Sequence, residues 1–175
     1  MYLNTVSVLH TRKHYNRREG AFLNDDKLKI LFLCTGNSCR SQIAEGLACS
    51  LKFGTIEAYS AGTEPRGVDP LAVRVMAEIG IDISGQRSKH VDEFTGTEFD
   101  YVITLCGHAA EHCPVFPGKT KVVHHGFEDP PVLAAGSKTE EEALSHYRRV
   151  RDEIRAFVET IPGSLSMTSS FHLFK

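Results

Sequence analysis

Short apolar runs separated by polar turns are the first regular pattern along the chain. Residues 29–34 (Lys-Ile-Leu-Phe-Leu-Cys) form an almost continuous apolar run, which is typical of a strand that is covered on both faces. Three further short runs predict the remaining strands. They lie at residues 55–60, 99–105 and 121–124.

Apolar residues at helical spacing occur between these runs. One helical period begins at Arg40. Asp69 and Pro70 provide an N-cap and a first-turn proline for a second helix. Thr139 and Glu142 have the spacing of a capping box at the start of a third helix. Strands that alternate with helices predict a three-layer α/β/α fold with a four-stranded parallel sheet, in which ligands bind at the carboxyl ends of the strands.

The length of 175 residues fits a single domain, which we predict to span residues 28–163. Residues 1–27 carry several basic side chains without a regular period, and we expect either a flexible extension or the product of a misplaced start codon. Residues 164–175 are rich in serine and threonine and are expected to form a loose tail.

Composition and charge exclude several classes of function. The chain has 20 Lys and Arg against 22 Asp and Glu, a net charge of −2, which argues against electrostatic binding to nucleic acid or anionic membranes. No apolar run approaches the roughly 20 residues that a membrane span needs. Five cysteines, an odd number, and no recognisable secretory signal argue against a disulfide scaffold and favour the cytoplasm. No obvious interface stripe is visible, so we expect a monomer.

The segment after the first predicted strand has the residues of an oxyanion-binding loop. Five residues separate Cys34 from Arg40, enough to wrap the backbone around a tetrahedral anion at a helix N-terminus. The guanidinium of Arg40 can bind two oxygens of that anion. The same positive potential favours the thiolate form of Cys34, and Ser41 can form a hydrogen bond with its sulfur. The other predicted loop residues are Thr35, Gly36, Asn37, Ser38 and Cys39.

Two further cysteines indicate redox chemistry beside this loop. Cys106 follows the third predicted strand directly, and Cys113 comes after six intervening residues. The first and third strands of a parallel sheet end at the same edge, so Cys106 can approach Cys34. Cys106 and Cys113 can form a disulfide if the segment between them bends out of a helical conformation. Two ordinary buried thiols are the alternative interpretation.

Residues 29–161 together resemble the thioredoxin-coupled arsenate reductases, which are built on the low-molecular-weight tyrosine phosphatase fold. Phosphatases share the oxyanion loop, whereas the loop combined with the spaced cysteine pair is more specific. The matching segments are Cys34-Thr-Gly-Asn-Ser-Cys-Arg-Ser-Gln-Ile-Ala-Glu-Gly46, Tyr59-Ser-Ala-Gly62, Thr104-Leu-Cys106, Cys113-Pro114 and Gly126-Phe-Glu-Asp-Pro130.

The resemblance implies a role for each of the three cysteines. Cys34 attacks arsenate held by the loop and Arg40, and Asp129 is the general acid for the leaving oxygen. Cys106 then attacks the Cys34 sulfur and releases arsenite, and Cys113 forms with Cys106 a disulfide that thioredoxin reduces. The resemblance further implies a role in arsenic detoxification, phosphate or sulfate as competing oxyanions, and neither a metal nor an organic cofactor.

Two other functions are weighed against arsenate reduction. A low-molecular-weight protein tyrosine phosphatase would share the loop, but those enzymes usually follow the acid with Asp-Pro-Tyr, and here Pro131 replaces the tyrosine. A non-catalytic metal or metalloid sensor would leave the spacing of Cys34 and Arg40 unexplained. Its ligands would be Cys106, His108, His112 and Cys113.

Overall fold

A computed structural model describes residues 27–167. Its strands are β1 (Leu28–Cys34), β2 (Ile56–Gly62), β3 (Tyr101–Thr104) and β4 (Lys121–His124). Its helices are α1 (Arg40–Leu51), α2 (Pro70–Ala77), α3 (Gly107–Glu111), α4 (Pro130–Ala134), α5 (Glu140–Thr160) and α6 (Gly163–Met167), with a 3-10 helix at Val91–Phe94. The predicted extension lies outside the described residues except for its last residue.

All four strands form one parallel sheet in the order β2-β1-β3-β4. The central strand β1 is covered on both faces, and residues 30–33 have no exposed surface, which explains the apolar run in the sequence. In the register of the sheet, Cys34 lies beside Gly62 and Leu33 lies beside Thr104. The carboxyl ends of β1, β2 and β3 therefore meet at one edge.

Helices cover both faces of the sheet. Ile30 and Phe32 belong to the larger core, to which α1, α2 and α5 contribute their buried apolar side chains. Leu31 and Leu33 point to the other face and pack in a smaller cluster with residues of the 3-10 helix and of α3. The predicted three-layer α/β/α architecture is confirmed.

Side-chain caps begin two of the helices as the sequence predicts. Asp69 accepts a hydrogen bond from the backbone N–H of Leu71 at 2.8 Å at the start of α2. Thr139 accepts one from the backbone N–H of Glu142 at 3.2 Å at the start of α5. The hydroxyl of Tyr147 on α5 donates to Asp69 at 2.8 Å, so the long helix is joined to the loop that precedes α2.

The carboxyl end of the domain extends beyond the predicted boundary. Helix α6 covers Gly163–Met167, and Leu165 is 2% exposed in the larger core. The first residues of the segment predicted as a loose tail therefore belong to the packed domain, because the side chain of Leu165 packs in the core. Within residues 27–167, no helix is both long and apolar enough to cross a membrane.

Candidate active site

The loop between β1 and α1 has its carbonyl groups turned outwards. Backbone N–H groups of the segment after β2 donate to the carbonyls of Cys34, Thr35, Gly36 and Ser38 at 2.8–3.3 Å. In a trans peptide the next N–H points away from the carbonyl, so outward carbonyls direct N–H groups to the inner side. This is the arrangement with which backbone amides bind an oxyanion.

Asn37 has a left-handed backbone conformation at the centre of this loop, with φ of 41°. The backbone N–H of Lys89 donates to its side-chain oxygen at 2.7 Å, which fixes the orientation of the amide. Its Nδ2 then donates to the hydroxyls of Ser41 and Ser60, each at 2.8 Å.

A hydroxyl lies against the sulfur of Cys34. Cys34 Sγ and Ser41 Oγ are 2.9 Å apart, and both residues are buried. Because the Ser41 oxygen already accepts from Asn37, its hydrogen is available to the sulfur. The hydroxyl is therefore placed to act as a hydrogen-bond partner of the Cys34 sulfur.

Arg40 is the first residue of α1, and two oxygen atoms of other residues bind its guanidinium. Its Nη2 lies 3.0 Å from the carboxylate of Asp129, and its Nη1 donates to the carbonyl of Phe127 at 3.1 Å. Arg40 is 8% exposed. Asp129 follows β4 at the start of α4, and its side chain is 37% exposed. The guanidinium is thus fixed in position beside a carboxyl group that solvent reaches.

The loop lines a cavity of about 560 Å³. Seven residues predicted for the site contribute to its wall, while Asn37 and Ser41 support the loop from behind. The seven are Cys34, Thr35, Gly36, Ser38, Cys39, Arg40 and Asp129. A larger cavity of about 710 Å³ lies at the amino ends of the strands, but it contains no cysteine and does not combine a nucleophile with an oxyanion loop.

Cys106 lies at the rim of the loop. Its sulfur is 3.3 Å from the hydroxyl of Thr35, the residue after Cys34. Cys106 is the N-cap of α3 and comes two residues after β3, the strand that pairs with β1. The predicted approach of this cysteine to the loop follows from the parallel pairing of the two strands.

Cys113 follows α3 in the sequence, so this helix separates it from Cys106. It is half-buried, and it packs against the smaller core cluster, as Cys106 does. Burial raises the pKa of the Cys113 thiol. Both cysteines are free thiols. The segment between them forms the helix α3, whereas the predicted disulfide needs this segment to bend out of a helical conformation.

Two other cysteines have different surroundings. Cys39 is 4% exposed, and burial, together with the charge of Asp69, holds the pKa of its thiol well above the usual range. Cys49 is exposed on α1. Within residues 27–167, no three His, Cys, Asp or Glu side chains gather in a way that could hold a metal ion.

Comparison with known proteins identifies the family of the chain. Residues 29–165 match the family model described as low molecular weight phosphotyrosine protein phosphatase. The chain belongs to this family.

Within the low molecular weight phosphatase family, the chain is similar to arsenate reductases. The arsenate reductase of Halalkalibacterium halodurans is 50% identical over 135 residues, which cover 77% of this chain and 95% of that protein. A solved arsenate reductase in the phosphate binding state has 36% identity and a TM-score of 0.62, over 78% of this chain and 98% of that one. These findings confirm the resemblance to arsenate reductases of the phosphatase superfamily.

A thioredoxin-dependent member is also among the structural relatives. The thioredoxin-dependent arsenate reductase of Corynebacterium glutamicum has 25% identity and a TM-score of 0.59, over 82% of this chain and 64% of that one.

Several residues that line the cavity were not predicted from the sequence as site residues. Glu64 and Arg66 come from the segment after β2, His108 comes from α3, and Val132 comes from α4. Glu64 pairs with Arg66 at 3.0 Å and lies 4.0 Å from His108. The convergence of parallel strand ends could have suggested the segment after β2, but nothing in its composition distinguishes it from a surface loop.

Proposed function

We propose that the protein reduces arsenate to arsenite through three cysteines that thioredoxin regenerates. The observation that carries the proposal is the 3.3 Å contact between Cys106 Sγ and the hydroxyl of Thr35, which brings a second thiol to the rim of the oxyanion loop. Hydrolysis of a phosphate ester needs one thiolate, whereas reduction of arsenate needs thiols that supply two electrons.

The first step is attack of the Cys34 thiolate on arsenate. The loop amides and the guanidinium of Arg40 hold the oxyanion, and a sulfur–arsenic bond forms as one oxygen leaves. Asp129 donates the proton that lets this oxygen depart as water. Its position 3.0 Å from Arg40 puts the carboxyl beside the group that would bind the oxyanion.

The second step transfers electrons to arsenic. The thiolate of Cys106 attacks the sulfur of Cys34, a disulfide forms between them, and the electron pair of the sulfur–arsenic bond passes to arsenic. Arsenic(V) becomes arsenic(III), and arsenite leaves. Cys113 then attacks the sulfur of Cys106, which frees Cys34 and leaves a Cys106–Cys113 disulfide.

The last disulfide requires a change in α3. Seven residue steps along a helix span roughly 10 Å, and disulfides need Cα atoms closer than about 7 Å. α3 has only five residues, Gly107–Glu111, and a helix this short is marginal by itself. Its opening would bring Cys113 to Cys106, and thioredoxin would reduce the resulting disulfide by thiol–disulfide exchange.

A small oxyanion suits the cavity better than a phosphotyrosine. Among the described residues that line it, none is Phe, Tyr or Trp, and the imidazole of His108 is the one aromatic ring that an aryl group could contact there. Phosphate and sulfate share the shape and charge of arsenate and are expected to compete. The similar solved arsenate reductase in the phosphate binding state supports this expectation. We place the reaction, as arsenic detoxification, in a reducing cytoplasm and assign it to a monomer.

The test is oxidation of NADPH by thioredoxin reductase and thioredoxin, measured with and without arsenate, in parallel with hydrolysis of p-nitrophenyl phosphate. We expect oxidation that requires the protein, arsenate and thioredoxin together. Rapid hydrolysis of p-nitrophenyl phosphate without a response to arsenate would contradict the proposal and assign a protein tyrosine phosphatase instead.

A further inference from the structure

The segment between α2 and the 3-10 helix contacts the oxyanion loop at several points. The hydroxyl of Ser88 donates to the carbonyl of Asn37 at 2.7 Å and lies 3.1 Å from the carbonyl of Gly36. Its neighbour Lys89 donates its backbone N–H to the Asn37 side chain at 2.7 Å. Gln42 on α1 joins the two segments, because its Nε2 donates to the carbonyls of Asn37 and Arg87, each at 3.0 Å.

These contacts converge on Asn37, the one non-glycine residue with a positive φ within residues 27–167. Its φ of 41° lies in a region that most side chains disfavour and that asparagine tolerates better than most. Its main-chain oxygen accepts from Ser88 and Gln42, and its side-chain oxygen accepts from the backbone N–H of Lys89. With its oxygens held, Asn37 donates through Nδ2 to Ser41, the residue whose hydroxyl lies against the Cys34 sulfur.

The 87–89 segment is itself held in place. The ammonium of Lys89 forms an ion pair with Glu45 on α1 at 3.0 Å, and both side chains are less than 15% exposed. The carbonyl of Lys89 accepts the backbone N–H of Gly62 at 2.9 Å, which connects the segment to the end of β2.

We propose that Ser88 is a positioning residue for the oxyanion site, whose hydroxyl holds the main-chain carbonyl of Asn37 and thereby the residue whose amide donates to the Ser41 hydroxyl beside the Cys34 sulfur. Ser88 does not line the cavity and acts through Asn37. The inference rests on the proposed use of this loop for an oxyanion. When the Ser88 hydroxyl is removed, the Asn37 carbonyl still accepts a hydrogen bond from Gln42, and the Gly36 carbonyl still accepts one from the backbone N–H of Arg66. Neither carbonyl is left without a donor, but the loop loses one constraint.

The test compares Ser88→Ala with Ser84→Ala, an exposed serine of the same segment without a contact to the loop among the described hydrogen bonds. Binding of inorganic phosphate is measured by calorimetry, and alkylation of Cys34 by iodoacetamide is followed against pH by mass spectrometry of its peptide. We expect Ser88→Ala to bind phosphate about 3- to 10-fold more weakly and to shift the midpoint of alkylation to higher pH. Ser84→Ala should match the wild type in both.

A pair of variants whose side chains have the same shape separates the loss of the hydroxyl from an effect on folding. Ser88→Thr retains the hydroxyl and Ser88→Val replaces it with a methyl group of the same shape. The threonine variant should bind phosphate more tightly than the valine variant. Equal phosphate affinities and equal alkylation midpoints for the pair, or for Ser88→Ala and Ser84→Ala, would overturn the proposal. Neither measurement uses arsenate or thioredoxin, so the outcome is distinct from that of the reductase assay.

Discussion

At the scale of single residues, the site is defined by groups whose orientation is held by other residues of the protein. The Cys34 sulfur faces the Ser41 hydroxyl, and the Arg40 guanidinium is held between Asp129 and the Phe127 carbonyl. Preorganised donors of this kind need little rearrangement when an oxyanion arrives. The sequence predicted these residue types at their spacing, because the spacing of a cysteine and an arginine around a helix start is a local feature.

Arg40→Lys tests the geometry of the guanidinium. A lysine keeps the charge but loses the planar pair of donors that binds two oxygens of one anion. We expect phosphate binding, measured by calorimetry, to weaken about tenfold or more, with little change in thermal stability. Arg155→Lys is the matched control, because Arg155 is exposed and pairs with Glu159 on the surface of α5. Equal affinity in the two variants would show that the loop does not bind the oxyanion through Arg40.

At the scale of secondary-structure elements, the loop depends on close contact with the end of β2. A Cβ atom on Gly62 would lie 2.5 Å from the carbonyl oxygen of Thr35 and 2.7 Å from the nitrogen of Asn37. Both are backbone atoms of the loop, so only a glycine allows β2 and the loop to approach so closely.

Gly62→Ala therefore tests whether this contact shapes the site. The loop backbone must move, so we expect phosphate binding to fall at least tenfold, as small misplacements of binding groups do, and overpacking to cost about 1–3 kcal/mol of stability. Gly54→Ala is the control, because a Cβ there meets no atom within 4 Å. Calorimetry and thermal melting measure both effects. Unchanged phosphate affinity in Gly62→Ala would contradict the dependence of the loop on β2.

The helices that the sequence predicted are those with enough residues to show a period. α5 has 21 residues and a side-chain cap, and its apolar face was visible in the sequence. α3 and α4 have five residues each, which is too few for a helical period to be recognised. β3 is shorter than predicted, Tyr101–Thr104, because apolar residues at its ends continue into turns that still pack in the core.

At the scale of the whole molecule, the parallel sheet assembles the site from distant parts of the chain. Cys34 ends β1, Cys106 follows β3 and Asp129 follows β4, and all three strands end at the same edge. This convergence could be predicted, since it follows from strand order and direction. The contact of Ser88 with the loop could not, because it depends on how an irregular segment packs against α1 and on no repeated pattern in the sequence.

The most direct test of the three-cysteine relay is disulfide mapping of Cys113→Ser after reaction with an excess of arsenate in the presence of thioredoxin. We expect about one arsenite per protein molecule and accumulation of a Cys34–Cys106 disulfide, because the thiol that resolves this disulfide is absent from the variant. Cys49→Ser, an exposed cysteine on α1, should keep repeated turnover with thioredoxin. Undiminished multiple turnover by Cys113→Ser, or arsenite release without the Cys34–Cys106 disulfide, would contradict the three-cysteine relay.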